Sequence, residues 1–139
     1  MNDKAREPTV APGPRVIYGG QAAGEALVSP APLSFFGGFD LERGVVSERG
    51  HPLEGRCVAG KVLVFPTGTG STVGSFALLR MVREGVGPAA LVMGNCDTTV
   101  AVGAIIAEVP CIDRVDIEAI ADGDLLVVAG REVRVDRQG

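Results

Sequence analysis

Apolar residues in this chain gather in short runs of four or five, separated by stretches rich in glycine, proline and charge. Short runs bounded by turn residues predict strands. Arg15-Val16-Ile17-Tyr18 and Glu25-Ala26-Leu27-Val28 are the first two, linked by a Gly/Ala-rich turn. Leu33-Ser34-Phe35-Phe36 is a third and ends in Gly37-Gly38. Residues 39–60 then form a charged loop punctuated by Gly44, Gly50, Gly55 and Gly60, with one short strand around Val45-Val46. A loop of that length inside a small domain is often functional.

The second half alternates. A strand over 61–65 leads into a helix over 72–84, then a strand over 89–93 and a short helix over 100–107. A strand-like 109–112 and a helical turn around 116–121 follow, and Leu125–Ala129 with 132–135 closes the chain as a hairpin turning at Gly130-Arg131. In the helix over 72–84, Phe76, Leu78, Leu79, Met81 and Val82 are expected to be buried. Arg80, Arg83 and Glu84 share the solvent stripe, and Gly85 is a stop signal. The centre thus has the βαβα order of a parallel sheet and both ends read as β, which places the chain in the α/β class. Residues 1–14, with three prolines, read as a loose tail and residues 15–139 as one domain.

Composition narrows the function. With 46% hydrophobic and 22% charged residues the chain is globular. A formal net charge of −4, without a Lys/Arg cluster, argues against nucleic acid as a partner. No apolar run is long enough to span a bilayer, and the start Met1-Asn2-Asp3-Lys4 lacks a signal-peptide core, so a cytoplasmic location is expected. Cys57, Cys96 and Cys111 are widely spaced and form no C-x-x-C pair, so they are expected to be small buried apolar side chains. His51 is expected on the surface of an exposed loop.

The candidate chemistry lies in Pro66-Thr67-Gly68-Thr69-Gly70-Ser71-Thr72-Val73-Gly74-Ser75, between an apolar strand and a helix. Glycines there let backbone approach a ligand, and the opening helix directs free N–H groups and its positive dipole end toward it. A Walker site is excluded, because no Gly-Lys-Ser/Thr follows. Three readings stay open on these residues alone. Ser71 is a helix N-cap; or Gly68-x-Gly70-x-x-x-Gly74 is a relaxed dinucleotide turn in a nucleotide-binding or regulatory module; or Ser71 exchanges a proton with a substrate. Around the turn, Ser34, Gly37, Gly38 and Asp40 lie at a strand end with room for close backbone approach, Asp40 being equally suited to cap a turn. Asn95 and Asp97 end the next strand, where they are suited either to line the same crevice or to form a turn, and Arg56 is placed to pair with Glu54 or with a partner's carboxylate.

Several motifs in order resemble one family. Gly24-Glu25-Ala26-Leu27-Val28, Leu33-Ser34-Phe35-Phe36-Gly37-Gly38-Phe39-Asp40 and His51-Pro52-Leu53-Glu54-Gly55-Arg56 are similar to the swivel domain or small subunit of aconitase X enzymes. So are Gly70-Ser71-Thr72-Val73-Gly74-Ser75 and Ala101-Val102-Gly103-Ala104-Ile105-Ile106-Ala107, so that the resemblance runs from about Arg15 to Asp113. It implies a swivelling β/β/α domain, here a central βαβα unit flanked by β segments, that caps a larger subunit. It also implies an iron–sulfur cluster bound by that large subunit, with no metal ligand in this chain. The implied activity is dehydration of a small hydroxy acid. The family includes enzymes acting on mevalonate 5-phosphate and on cis-3-hydroxy-L-proline, and the separate small chain with its Gly-Ser-Thr-Val-Gly-Ser form leans toward the former. By residue type and place, Ser71 matches the family's proton-accepting serine, with Gly70, Thr72, Ser75, Ser34, Gly37, Gly38 and Asp40 around the substrate. The Ser-Arg that follows that serine in related aconitases is replaced here by Thr72-Val73, so carboxylate binding passes to backbone N–H groups, another arginine or the partner.

Overall fold

The computed structural model describes residues 13–35, 37–70 and 72–136, with the side chains of Thr72 and Val73 left aside. The tail expected over 1–14 therefore lies outside the described residues except for Gly13 and Pro14. The Pro14 carbonyl accepts a hydrogen bond from Arg131 Nε at 3.4 Å.

Continuous apolar runs form the middle of one seven-stranded mixed sheet. In chain order its strands are β1 (Arg15–Tyr18), β2 (Gln21–Val28), β6 (Val62–Phe65), β8 (Ala90–Met93), β9 (Cys111–Asp113), β10 (Leu125–Ala129) and β11 (Glu132–Asp136). They are arranged β1-β9-β8-β6-β2-β10-β11. The four central strands β2, β6, β8 and β9 are parallel, and the strands added outside them are antiparallel. Between β2 and β6 lie the short strands β3 (Leu33–Ser34), β4 (Phe39–Asp40) and β5 (Val45–Val46). After β6 comes β7 (Gly68–Thr69). Helices α1 (Ala77–Arg83) and α2 (Thr98–Ala107) are the crossovers from β6 to β8 and from β8 to β9.

Every residue of β6 and β8 is buried, as expected of parallel strands covered on both faces. The period-two alternation sorts them. Leu63, Phe65, Leu91 and Met93 pack with Leu78, Met81 and Ala104 of the helices and with Leu33, Phe35, Phe39 and Leu53 of the long loop. Val62, Val64, Ala90 and Val92 pack with Leu126 and Val128 of β10 and with Ile120 on the opposite face. One strand makes this second layer possible. The first half of β2 pairs with β10 through Gln21↔Ala129 to Glu25↔Leu125, and its last residues, Ala26 to Val28, pair with β6. The sheet curls at that point and folds the β2–β10–β11 ribbon over the central strands, giving ribbon, sheet and helices as β/β/α layers. Gly24 sits at the crossing, where a Cβ would come within 2.8 Å of the Gly60 carbonyl oxygen.

The structure departs from expectation in places with local causes. The strand expected over 25–28 begins at Gln21, so the linking turn is only Gly19-Gly20. Strand β3 stops at Ser34, and the 39–60 loop contains a β4–β5 hairpin rather than one lone strand. The helix expected over 72–84 divides into a 3-10 segment, Thr72–Phe76, and the seven-residue α1. Only Ala77, Leu78 and Met81 of α1 are buried; Phe76 is 62% exposed and Val82 37%. Gly85, at φ +79, does follow the helix end.

Candidate active site at the glycine turn

The glycine turn lies at the carboxyl edge of the parallel strands, where ligand crevices form in sheets of this kind. Four chain segments meet there. The segment leaving β6 becomes β7, which pairs in parallel with β3, so that Leu33 faces Gly68 and Ser34 faces Thr69. The segment leaving β8 runs alongside, with the Asn95 N–H donating to the Pro66 carbonyl at 2.9 Å. The start of α2 completes the frame through Asp97.

Gly70 has φ +106, a conformation that favours glycine. Gly68 is required for space: a Cβ there would lie 2.5 Å from Asp97 Oδ1 and 2.6 Å from Val100 Cγ2. Gly38 is constrained in the same way, since a Cβ would lie 2.2 Å from the Ser34 carbonyl oxygen.

Ser71 itself lies outside the described residues, and so does the side chain of Thr72. What surrounds them is defined. Ser34 adjoins Thr69 through the β3–β7 ladder. Gly37 and Gly74 line one open groove of about 440 Å³ with Phe35, Phe39, Phe76 and Arg80. The structure thus brings Ser34, Gly37, Gly38 and the glycine turn together.

Of the rest of the expected set, Asp40 is engaged in its own hairpin and Ser75 is buried. Asp40 Oδ1 accepts from the backbone N–H groups of Glu42 and Arg43, both at 3.2 Å, so the carboxylate caps the β4–β5 turn. The Ser75 backbone carbonyl oxygen lies 2.9 Å from where a Cβ on Gly103 of α2 would stand, so the segment packs closely on α2 there.

The expected helix-dipole support is also corrected. The N-cap position of α1 is Phe76, with no side-chain cap bond, so the α-helix proper begins well past Ser71. The same geometry disfavours the dinucleotide reading, which needs a helix opening directly from the turn.

Asp97 is the residue whose role sequence reasoning missed. Its Oδ1 accepts the Gly68 N–H at 2.9 Å and its Oδ2 accepts the Val100 N–H at 3.3 Å. An aspartate before Thr98-Thr99 is a readable N-cap signal. The bond to Gly68, 29 residues away, has no sequence signal.

His51 is a second correction. It is 7% exposed, and its ring ties two loop segments: Nε2 lies 2.8 Å from the Pro32 carbonyl oxygen, and Nδ1 accepts the Leu53 N–H at 3.0 Å. Those partners place the ring proton on Nε2 and leave neither nitrogen for a substrate. Arg56 pairs at 3.4 Å with Asp122 rather than with Glu54, whose Oε1 takes the Gly50 N–H.

The cysteines divide: Cys111 is buried, Cys96 half-buried and Cys57 exposed. The sulfurs of Cys96 and Cys111 are 4.0 Å apart. Contact with Cys96 and burial push the Cys111 thiol far above its ordinary range. Asp113, fully buried, is held by Arg15 and the Cys96 N–H. Among the described residues no three His, Cys, Asp or Glu side chains converge as a metal-ligand set. The donors present do not fit an iron–sulfur cluster. No helix among the described residues is long and apolar enough to cross a membrane.

A curled mixed sheet with both crossover helices on one face, and a glycine turn at its carboxyl edge, defines the class of swivelling β/β/α domains. The family model of the aconitase X swivel domain matches residues 13–137, and the chain belongs to that family. Among its relatives, the phosphomevalonate dehydratase small subunit of Methanocella arvoryzae is 48% identical over 117 residues, covering 82% of this chain and 89% of that protein. The protein of the same name from Archaeoglobus fulgidus is 45% identical over 125 residues, covering 88% and 94%. The crystal structure of Thermococcus kodakaraensis aconitase X in its holo form superposes with a TM-score of 0.88 at 41% identity, covering 90% of this chain and 97% of that one.

Proposed function

We propose that this chain is the small subunit of an aconitase X-type hydro-lyase that dehydrates mevalonate 5-phosphate. The observation that carries the substrate is the set of relatives named phosphomevalonate dehydratase small subunit, 48% and 45% identical over most of both chains. A small subunit implies a larger partner. In this reading the partner holds the iron–sulfur cluster typical of the family, because the donors described here do not fit one.

Dehydration removes a proton from the carbon beside a carboxylate and expels hydroxide from the next carbon. This chain supplies the proton acceptor. Ser71, the residue that follows Gly70 in the sequence, is that group. A serine hydroxyl is a weak base, so its oxygen must be stabilised as it takes up negative character. With the α-helix starting only at Ala77, the support comes from N–H groups of the turn and from cations of the partner. On the substrate side in this reading are Ser34, joined to the turn by the β3–β7 ladder, Gly37, which shares a groove with Gly74, and Gly38, packed against the Ser34 carbonyl. The chain alone is accordingly inactive.

The test is turnover of mevalonate 5-phosphate by the co-purified two-subunit enzyme. Ser71→Ala is expected to lower turnover on the order of 100-fold or more while leaving assembly intact. Ser75→Ala, at a buried position, is the control and retains activity. A Ser71→Ala enzyme that keeps most of its turnover overturns the assignment.

A further inference from the structure

We infer that Asp97 is a positioning residue for the reaction: its carboxylate fastens the glycine turn, at Gly68, to the start of α2. This rests on the reading of Ser71 as the proton acceptor. Three observations carry it. Asp97 is bidentate across two elements, one oxygen taking the Gly68 N–H at 2.9 Å and the other the Val100 N–H at 3.3 Å. Gly68 has been shaped to receive it, since a Cβ would stand 2.5 Å from Oδ1 and 3.1 Å from Cγ. Among the described residues the other ties on the turn are backbone ones, the two-residue β3–β7 ladder, the Leu33 N–H to the Thr67 carbonyl at 3.2 Å and the Asn95 N–H to the Pro66 carbonyl at 2.9 Å, so Asp97 is the side chain that links Gly68 to α2.

Asp97 is itself held from behind. The preceding residue, Cys96, donates its N–H to the buried Asp113 at 2.8 Å, and Asp113 is gripped by Arg15. A line of polar contacts therefore runs from the edge strand β1 through β9 to the turn. Backbone misplacement of about 1 Å is enough to cost about 100-fold in rate. A carboxylate that sets the turn's position thus acts on catalysis without touching substrate.

Asparagine separates the two bonds. It caps a helix as well as aspartate does, but its amide has one oxygen. Asp97→Asn can cap Val100 only by turning its NH2 toward the Gly68 N–H, so the turn is released while α2 stays capped. The experiment uses the assembled two-subunit enzyme carrying Asp97→Asn, beside the parent and Ser71→Ala. Expected results are amide exchange at Gly68 faster by about tenfold or more with α2 exchange unchanged, and kcat lower by about 10- to 100-fold with KM within about threefold. Unchanged exchange at Gly68 overturns the clamp whatever happens to activity. A released turn with undiminished kcat, in an enzyme that Ser71→Ala inactivates, overturns the catalytic consequence. If Ser71→Ala remains active, the base assignment falls instead, and exchange at Gly68 still decides whether Asp97 holds the turn.

Discussion

Removing Arg15 tests the polar line behind the turn. Arg15 on β1 and Asp113 on β9 are cross-strand partners, 98 residues apart. The Asp113 side chain is 0% exposed and that of Arg15 is 45% exposed. Three donors reach this carboxylate: Arg15 Nε at 3.0 Å, Arg15 Nη2 at 2.8 Å and the Cys96 N–H at 2.8 Å. Burial pushes the carboxyl up, but the guanidinium and the Cys96 amide together pull it down further, so it titrates below the usual carboxylate range. Arg15→Ala removes two of the three donors.

Breaking a fully buried pair costs about 3–5 kcal/mol. Here the half-exposed arginine leaves a path for water, so about 2–3 kcal/mol is expected. At about 3–4 °C per kcal/mol for a domain of this size, Tm falls by about 6–12 °C. The pH dependence gives a second signature. A lowered folded-state pKa contributes stability that is fully present above the unfolded value near 3.9 and is lost as pH falls through the folded one. In Arg15→Ala burial dominates, the pKa rises, and protonation then favours the folded state. The gap between parent and variant is therefore widest at neutral pH, begins to narrow as pH falls through the variant's raised pKa, and narrows further below about pH 4 as the parent's carboxyl protonates. Urea unfolding of both proteins at about pH 7 and about pH 3.5 reads the gap directly. A difference under about 1 kcal/mol at neutral pH, or one that does not shrink in acid, refutes the reasoning.

Three further outcomes are expected. His51→Ala strands the Pro32 carbonyl and the Leu53 N–H and should cost about 1–3 kcal/mol in chemical denaturation, with loosening confined to the 29–60 loop by amide exchange. Gly38→Ala places a Cβ 2.2 Å from the Ser34 carbonyl oxygen. The resulting overpacking should cost about 1–3 kcal/mol, read as a fall in urea midpoint. Alkylation of the native chain followed by mass spectrometry should label exposed Cys57 first and leave Cys111, buried with its thiol held protonated, unlabelled until unfolding.

The chain's apolar rhythm alone determined its class. Four-residue apolar runs at β6 and β8, the interposed helices and the closing hairpin follow from local patterning, which needs only neighbours in sequence. The end of β3 at Ser34 and the glycine turn after β6 were legible in the same way, as turn chemistry at strand ends. Tertiary structure decided what depends on partners far along the chain. Gln21-Ala22-Ala23-Gly24 has little intrinsic strand preference and became half of β2 because β10 pairs with it. The helix after the turn shortened to seven residues, while a 3-10 segment occupies its expected first turn. His51 was drawn inside by the Pro32 carbonyl, and Asp40 was turned into its own hairpin. Asp97 reads locally as a helix cap, and only the close approach of Gly68 made it the fastening of the turn. Local pattern specifies elements because it acts through backbone preference and amphipathic faces. Burial, charge pairing and the second hydrogen bond of a carboxylate depend on which distant atoms the fold brings within about 3 Å.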